Sequence, residues 1–503
     1  MMRVRATVIK NALANVMRGG ATAVVSLVLP HFLVRSLDRD RFAAWSLMLQ
    51  IAAYASYLDF GLQTAVARYV AHFTELGEED RRNALVSTAL ALLSAAGAVA
   101  LLVMLVVVWQ FPHFFRDVPR SLLPEVLSGV IIIGGTSALL LPFSAWSGVL
   151  IGLHRNEYVA LTIGGSRVLG ALAVVAASRR THSLTLFAAC LAAANLLGCL
   201  VQVAIVRRLL PTLRLSLARV RRSVAAELGK YCGGLTVWSL SMFLVTGLDL
   251  TVVGYFDFKA VGYYAIAASL VTTFAGANNA VCSALMTPVA ALHASGQIDR
   301  VRSVTLAATR LNTYLNVLAT VGIFLFGPFL LRIWVGETYA RAAFPIVEVL
   351  MVANAIRLIG NPYASMLIAV DQQKHGIAQG LAEGVTNLGA SIIGAVRFGV
   401  IGVAWGTLVG AVAGMVWICV LTLKWVKRVT FDRWGFLREG VARPLACVSP
   451  LVAFAAFLGT RPLTLLPALF LGLCMIATYL LTDRFGQLLP AFLSLRRLTA
   501  QLG

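Results

Sequence analysis

Charge is what this chain has little of. Charged residues fill 13% of its 503 positions, about half the roughly 25% of a soluble domain. With 59% hydrophobic residues and a mean hydropathy of +0.85, that scarcity excludes disorder, collagen, coiled coil and an ordinary soluble enzyme. A soluble core of this size could not hide so much apolar side chain, because a folded domain still has a large surface to wet. Cysteine is sparse as well. The seven, Cys190, Cys199, Cys232, Cys282, Cys419, Cys447 and Cys474, form no CxxC pair and have no histidine nearby. They read as small core residues, which excludes a zinc ribbon or a disulfide framework. No Walker loop GxxxxGK[ST], HExxH or GxSxG occurs, and no carboxylates cluster in a long loop. No catalytic residue is therefore assigned, and no metal site.

A bilayer is the remaining solvent. Fourteen apolar runs are long enough to cross one, at about 20 residues each. They fall near 11–34, 43–60, 84–109, 122–152, 158–178, 184–206, 231–255, 260–292, 303–331, 343–370, 376–396, 399–423, 441–459 and 463–481. The basic segment Met1 to Lys10 precedes the first run without a small-residue cleavage site, so it reads as the flank of a first span and not as a removed signal peptide. Pro142, Pro288, Pro328 and Pro362 interrupt spans, as membranes allow where neighbours satisfy the freed backbone groups.

The net charge of +21 comes from 42 Lys and Arg against 21 Asp and Glu. With the N-terminus placed in the cytoplasm, 27 of these cations lie in or beside inside segments and 12 in outside loops. Arg18, Arg167 and Arg357 lie within spans. The bias places both termini in the cytoplasm and explains the charge without nucleic acid. Arg207, Arg208, Arg214, Arg219, Arg221, Arg222 and Lys230 crowd one inside linker. It is either an amphipathic helix on anionic lipid or a plain topogenic connection.

An internal repeat recurs at an offset of about 216–220 residues. Asp38, Ala43 and Trp45 match Asp257, Gly262 and Tyr264; Pro112 and Arg116 match Pro328 and Arg332; Pro142 and His154 match Pro362 and Lys374. Six spans separate the copies, so both have the same orientation. The expected architecture is an all-α polytopic membrane protein of about 14 helices. It divides into a six-helix bundle over 1–206, a basic linker over 207–230, a second bundle over 231–423, and two further helices with a cytoplasmic tail over 424–503. Parallel repeats of this kind are a transporter plan, with substrate expected at the midplane between the bundles.

Ionisable groups inside spans cost several kcal/mol unless they face a cavity or a partner. Asn11, Asn15, Arg18, Thr22 and Ser26 recur every three or four residues and make one polar face of span one. Arg310 and Tyr314, Asn312 and Asn316, and Glu383 and Asn387 are pairs at i,i+4, while Asn354, Arg357 and Asn361 share a face before Pro362. At about 1.5 Å per residue, Arg18, Arg167 and Arg310 lie about 10–14 Å from the inner helix ends and Arg357 about 20 Å. The four arginines, with Asn15, are candidates for a basic cavity that takes a phosphate group. Each could instead pair with a buried carboxylate or reach the interface. Asp249 and Glu383 are candidates for proton or sodium coupling, or structural partners of a cation. Asp59 and Gly61 mark a local helix break, with Arg68 as a partner for the aspartate.

The stretch Ala43-Ala44-Trp45 through Tyr57-Leu58-Asp59-Phe60-Gly61-Leu62 to Arg68 resembles polysaccharide transporters of the Wzx type. These belong to the multidrug/oligosaccharidyl-lipid/polysaccharide (MOP) flippase superfamily. Asp249 with Val261-Gly262-Tyr263-Tyr264, the run from Pro142 to Gly152, and Glu383 and Asn387 followed by Gly399 to Ala404 are similar to the family as well. The resemblance covers almost the whole chain. It implies export of an undecaprenyl-diphosphate-linked O-antigen or exopolysaccharide unit from the cytoplasmic to the outer leaflet of a bacterial inner membrane. It implies alternating access, with an ion gradient (H+ or Na+) in place of a cofactor. Expected partners are the lipid-linked oligosaccharide, membrane lipids, a polymerase and other glycan-assembly proteins. Two other readings are a drug/cation antiporter of the same superfamily, which would want an acidic cavity, and a membrane-embedded glycan ligase or transferase, which would want a sizeable outside loop.

Overall fold

The structure is a computed structural model that describes residues 19–20, 22–426, 429–449 and 473. Every regular element among them is helical. Eight helices are long and apolar enough to cross a membrane, and a bent pair makes a ninth. Spans thirteen and fourteen, except for the start of the first, lie outside the described residues. The protein is an all-α multi-pass membrane protein.

Each repeat follows one plan. The first half has α1 (Thr22–Ser36), a broken span of α2 (Arg39–Ala53) and α3 (Leu62–Glu75), and the long α4 (Glu79–Phe114). A second broken span, α5 (Leu123–Leu139) and α6 (Ser144–Gly152), leads to the hairpin of α7 (Asn156–Ser178) and α8 (Leu184–Leu209). The second half has the bent pair α9 (Arg222–Met242) and α10 (Asp249–Phe256), then the broken α11 (Val261–Ser283) and α12 (Met286–Ala294). The long α13 (Ile298–Val335), the broken α14 (Glu337–Ile359) and α15 (Asn361–Ala369), and the hairpin of α16 (Lys374–Phe398) and α17 (Val400–Trp417) complete it.

The repeated residues do the same local work. Asp38 accepts from the Arg41 backbone N–H at 2.8 Å and Asp257 from that of Ala260 at 3.2 Å, each starting the helix that follows. Trp45 and Tyr264 are buried behind those caps. Pro112 and Pro328 sit near the C-terminal ends of α4 and α13. Pro142 and Pro362 stand at the breaks α5/α6 and α14/α15. The short helix after the break then ends on a left-handed residue, His154 in the first half and Asp371 in the second. The sequence match of His154 with Lys374 is thus three residues out of structural register.

By packing, the chain divides into two compact units: Met1–Ser269 with Ala395–Val400, and Leu270–Gly394 with Ile401–Gly503. Division by repeat, drawn at 206 and 231, and division by packing therefore differ. The helices α9 and α10 pack with the first unit. In that unit the core joins Leu62, Val66 and Val70 of α3 to Leu85 and Leu93 of α4 and Val149 and Leu150 of α6. Span two is longer than its apolar run. The helix α3 reads as an inside loop because Gln63, Arg68, His72 and Glu75 line its other side. Bare backbone at Gly148 and Gly152 lets α6 lie against α3: a Cβ there would stand 2.7 Å from the Gln63 carbonyl oxygen and 2.6 Å from that of Ala67.

The basic linker is not one continuous helix. Its first residues close α8 and its last, from Arg222, open α9; the stretch 210–221 between them has one short turn at Leu217–Arg219. It is fastened to the N-terminal end of α4. Arg82 donates to the Thr212 hydroxyl at 2.8 Å, and Asn83 to the Thr212 carbonyl at 3.0 Å. Arg219 pairs with Asp80 at 2.9 Å, and the Arg221 N–H donates to Thr88 at 3.2 Å, just where α9 begins.

Candidate functional site

Polar constellations occur within the helices of both units. The first forms around the two broken spans of unit 1. The chain passes from the turn Tyr54–Asp59 through Phe60 (φ 51°) and Gly61 (φ 76°) into α3. A Cβ at Gly61 would stand 2.6 Å from Leu235 Cβ, so glycine meets both the backbone angle and the space. Asp59 accepts from the Ser144 hydroxyl at 2.6 Å and from the Gln63 N–H at 3.4 Å, tying the break in span two to the Pro142 break in span four. The expected Asp59–Arg68 pair does not form, because Arg68 instead lies over the Tyr231 ring, 5.1 Å from its centre.

Asp249 opens α10, directly after the bend, and accepts from the Tyr264 hydroxyl at 3.3 Å. Gln50 donates to the Gly247 carbonyl at 2.6 Å, filling an acceptor that the bend exposes, and Tyr54 bonds Thr251. The sequence reading missed Gln50, Tyr54 and Thr251. The i,i+4 spacing of Gln50 and Tyr54 in an apolar run was the signal.

Arg167 lies at the middle residue of α7. It is exposed and donates to the Thr22 hydroxyl on α1 at 2.6 Å. Ser26, further along α1, accepts from the Ser269 hydroxyl through its carbonyl at 2.6 Å. The described part of the span-one stripe therefore meets polar partners. Arg18 and Asn15 lie outside the described residues.

In unit 2 the predicted ions pair with one another. Arg357 Nε lies 2.5 Å from Glu383 Oε1, and Gln379 donates to the other carboxylate oxygen at 3.2 Å. The Glu383 side chain is 4% exposed, and a Cβ at Gly414 would stand 2.6 Å from Oε2. The glycines of α17 come every fourth residue and seat the polar residues of α16. Gly406 faces Ser391, Gly410 faces Asn387 and Gly414 faces Glu383. The first candidate coupling acid of this unit is thus held by an arginine. Arg310, also buried, lies 3.7 Å from Glu439.

The second constellation of this unit is a cluster of asparagines. Asn278 donates to Asn312 at 2.6 Å and to Asn316 at 3.3 Å, while Asn361 donates to Asn278 at 3.0 Å and to Asn279 at 2.6 Å. Pro362 has no N–H, which orphans the carbonyl four residues back, that of Leu358. Asn312 donates to that carbonyl at 2.6 Å. In unit 1 the carbonyl freed by Pro142, that of Ala138, instead meets the bare backbone of Gly97, where a Cβ would stand 2.7 Å away. Asn312→Ala leaves the buried Leu358 carbonyl unsatisfied and is expected to cost about 1–3 kcal/mol, read as a lower unfolding temperature. Adding Pro362→Ala restores the missing donor and recovers part of the loss. No recovery would mean that Asn312 acts through its other contacts. Asn312, Asn316 and Asn361 were legible as polar residues in spans; Asn278 and Asn279 were not singled out.

Helix breaks lined by polar side chains thus recur in both halves of the described chain. Residues 8–291 match the model of the polysaccharide biosynthesis protein family, and the chain belongs to that family. It is 24% identical over 459 residues to the membrane protein EpsK of Bacillus subtilis (strain 168), itself uncharacterised, covering 87% of this chain and 86% of EpsK. Among solved structures, the lipid II flippase MurJ in an inward closed conformation shares the fold at a TM-score of 0.69 and 12% identity, over 95% of this chain and 99% of MurJ. An inward-facing multidrug resistance MATE transporter of the MOP superfamily follows at 0.61 and 14%, over 86% and 96%. The fold is shared with these MOP-superfamily transporters, and the chain is a multi-pass membrane protein of the polysaccharide biosynthesis family.

Proposed function

We propose that the protein moves an undecaprenyl-diphosphate-linked oligosaccharide, an O-antigen or exopolysaccharide unit, from the cytoplasmic to the outer leaflet by alternating access. The observation that carries this reading is exposed polar side chains halfway along membrane helices in a chain of this family. Arg167 is at the centre of α7, and Asn279 is near the middle of the span Phe258–Ala294. Lipid does not solvate a guanidinium or an amide, so exposed groups of this kind suit a polar passage. Glu383 is neutralised by Arg357, which supports an anionic cargo over an organic cation. The outside connections among the described residues are short, which disfavours a ligase. Asp249 remains the acid suited to couple transport to a proton or sodium gradient, and Arg18, Arg167 and Asn15 the groups suited to the diphosphate. The positive-inside bias supports a bacterial inner membrane with both termini in the cytoplasm. A polymerase and other assembly proteins would take the exported unit.

The test is transport in proteoliposomes. Lipid-linked saccharide enclosed in the inner leaflet should become accessible to an impermeant glycosidase outside, at a rate set by the imposed gradient. Equal accessibility with and without the protein would overturn the proposal.

A further inference from the structure

Unit 2 holds an apolar groove of about 550 Å³, within the range of about 300–1,000 Å³ typical of small-ligand pockets. Its walls are the faces of α11, α13 and α14 that also carry the asparagine cluster. On α13 that face reads Asn312, Asn316, Ala319, Ile323, Phe326 and Leu330, at steps of four and three. On α11 it reads Leu270, Phe274 and Asn278. On α14, Met351 lines the groove and Leu358 meets Asn312. Two groups of the cluster have hydrogen-bonding capacity left over. Asn316 is fully buried and its Nδ2 has no hydrogen-bond partner among the described residues, and the Asn279 amide is exposed.

Depth decides the occupant. Asn316 is the middle of the 38-residue α13, about 27 Å from either end at about 1.5 Å per residue, and so near the bilayer midplane. A resident phospholipid keeps its head group at the interface, about 15 Å from that plane. An apolar groove with a polar cluster one helical turn beyond its lining, near the midplane, fits a lipid whose head group is in passage. We infer that the groove seats the isoprenoid chain of the lipid-linked cargo. The asparagine cluster hydrogen-bonds the head at its junction with the chain. The inference rests on the flippase reading above and adds to it where on the protein the chain is held.

The experiment measures binding of radiolabelled geranylgeranyl phosphate to the purified full chain in nanodiscs. A Cβ at Gly322 meets nothing within 4 Å, so Gly322→Leu fills the groove without a backbone clash. It should weaken binding at least tenfold at an unchanged unfolding temperature, and excess phosphatidylglycerol should not displace the probe from wild type. If Gly322→Leu fails to fold, Ala319→Leu replaces it. Wild-type binding retained by the folded variant would overturn the groove assignment and leave the flippase reading standing, as would displacement by phosphatidylglycerol. No binding by wild type would overturn both.

Discussion

Glu383→Gln is expected to remove most of the folded protein from the membrane. The substitution is nearly isosteric, but it leaves the Arg357 guanidinium charged, 17% exposed and without its carboxylate. Breaking a buried pair costs about 3–5 kcal/mol, a large share of a total stability of about 5–15 kcal/mol. Arg357→Gln should be as damaging, because Glu383 then stays charged against the backbone of Gly414. The double variant Arg357→Gln, Glu383→Gln removes both charges and should restore the protein to near its normal level, measured by in-gel fluorescence of a tagged chain. Export should return with it, because the pair holds α14 to α16. Restored protein without restored export would show that the charges act in transport, with Glu383 as a coupling acid.

Arg167→Gln has the opposite profile. The side chain is exposed, so its loss should change stability by no more than about 0.5 kcal/mol. The guanidinium that donates to Thr22 is lost, and with it a cation at mid-membrane. Surface polysaccharide should fall at least tenfold at an unchanged protein level. Arg167→Lys keeps charge but loses bidentate geometry and should recover only part. Full export by the glutamine variant would remove Arg167 from the cargo site.

Spans and repeat were legible because a bilayer imposes them: twenty apolar residues and a one-sided excess of cations are read one segment at a time. The equivalence of Asp38 with Asp257 and of Pro142 with Pro362 was visible for the same reason, since caps and prolines act locally. Partner choice was not. Arg357 and Glu383 are 26 residues apart on separate helices, and nothing in either helix says that they meet. The Asp59–Arg68 pair looked plausible by spacing, yet the left-handed turn at Phe60 and Gly61 sends Asp59 to Ser144 instead. The helix α3 was missed because one side of it is polar and only its other side packs on α6. The linker was ambiguous because its arginines suit lipid, a carboxylate or a hydroxyl equally well; its ties to α4, Arg219 to Asp80 and Thr212 to Arg82, join residues more than 120 positions apart.

The central claim is that this chain carries a lipid-linked saccharide across the membrane. The most direct measurement is mass spectrometry of lipid-linked saccharides from cells lacking the gene, scored beside their surface polymer. The account predicts loss of the polymer together with a build-up of unexported lipid-linked units, both reversed by the wild-type gene. No build-up, with new sensitivity to cationic dyes, would contradict it and move the protein to the drug-exporting branch of the superfamily.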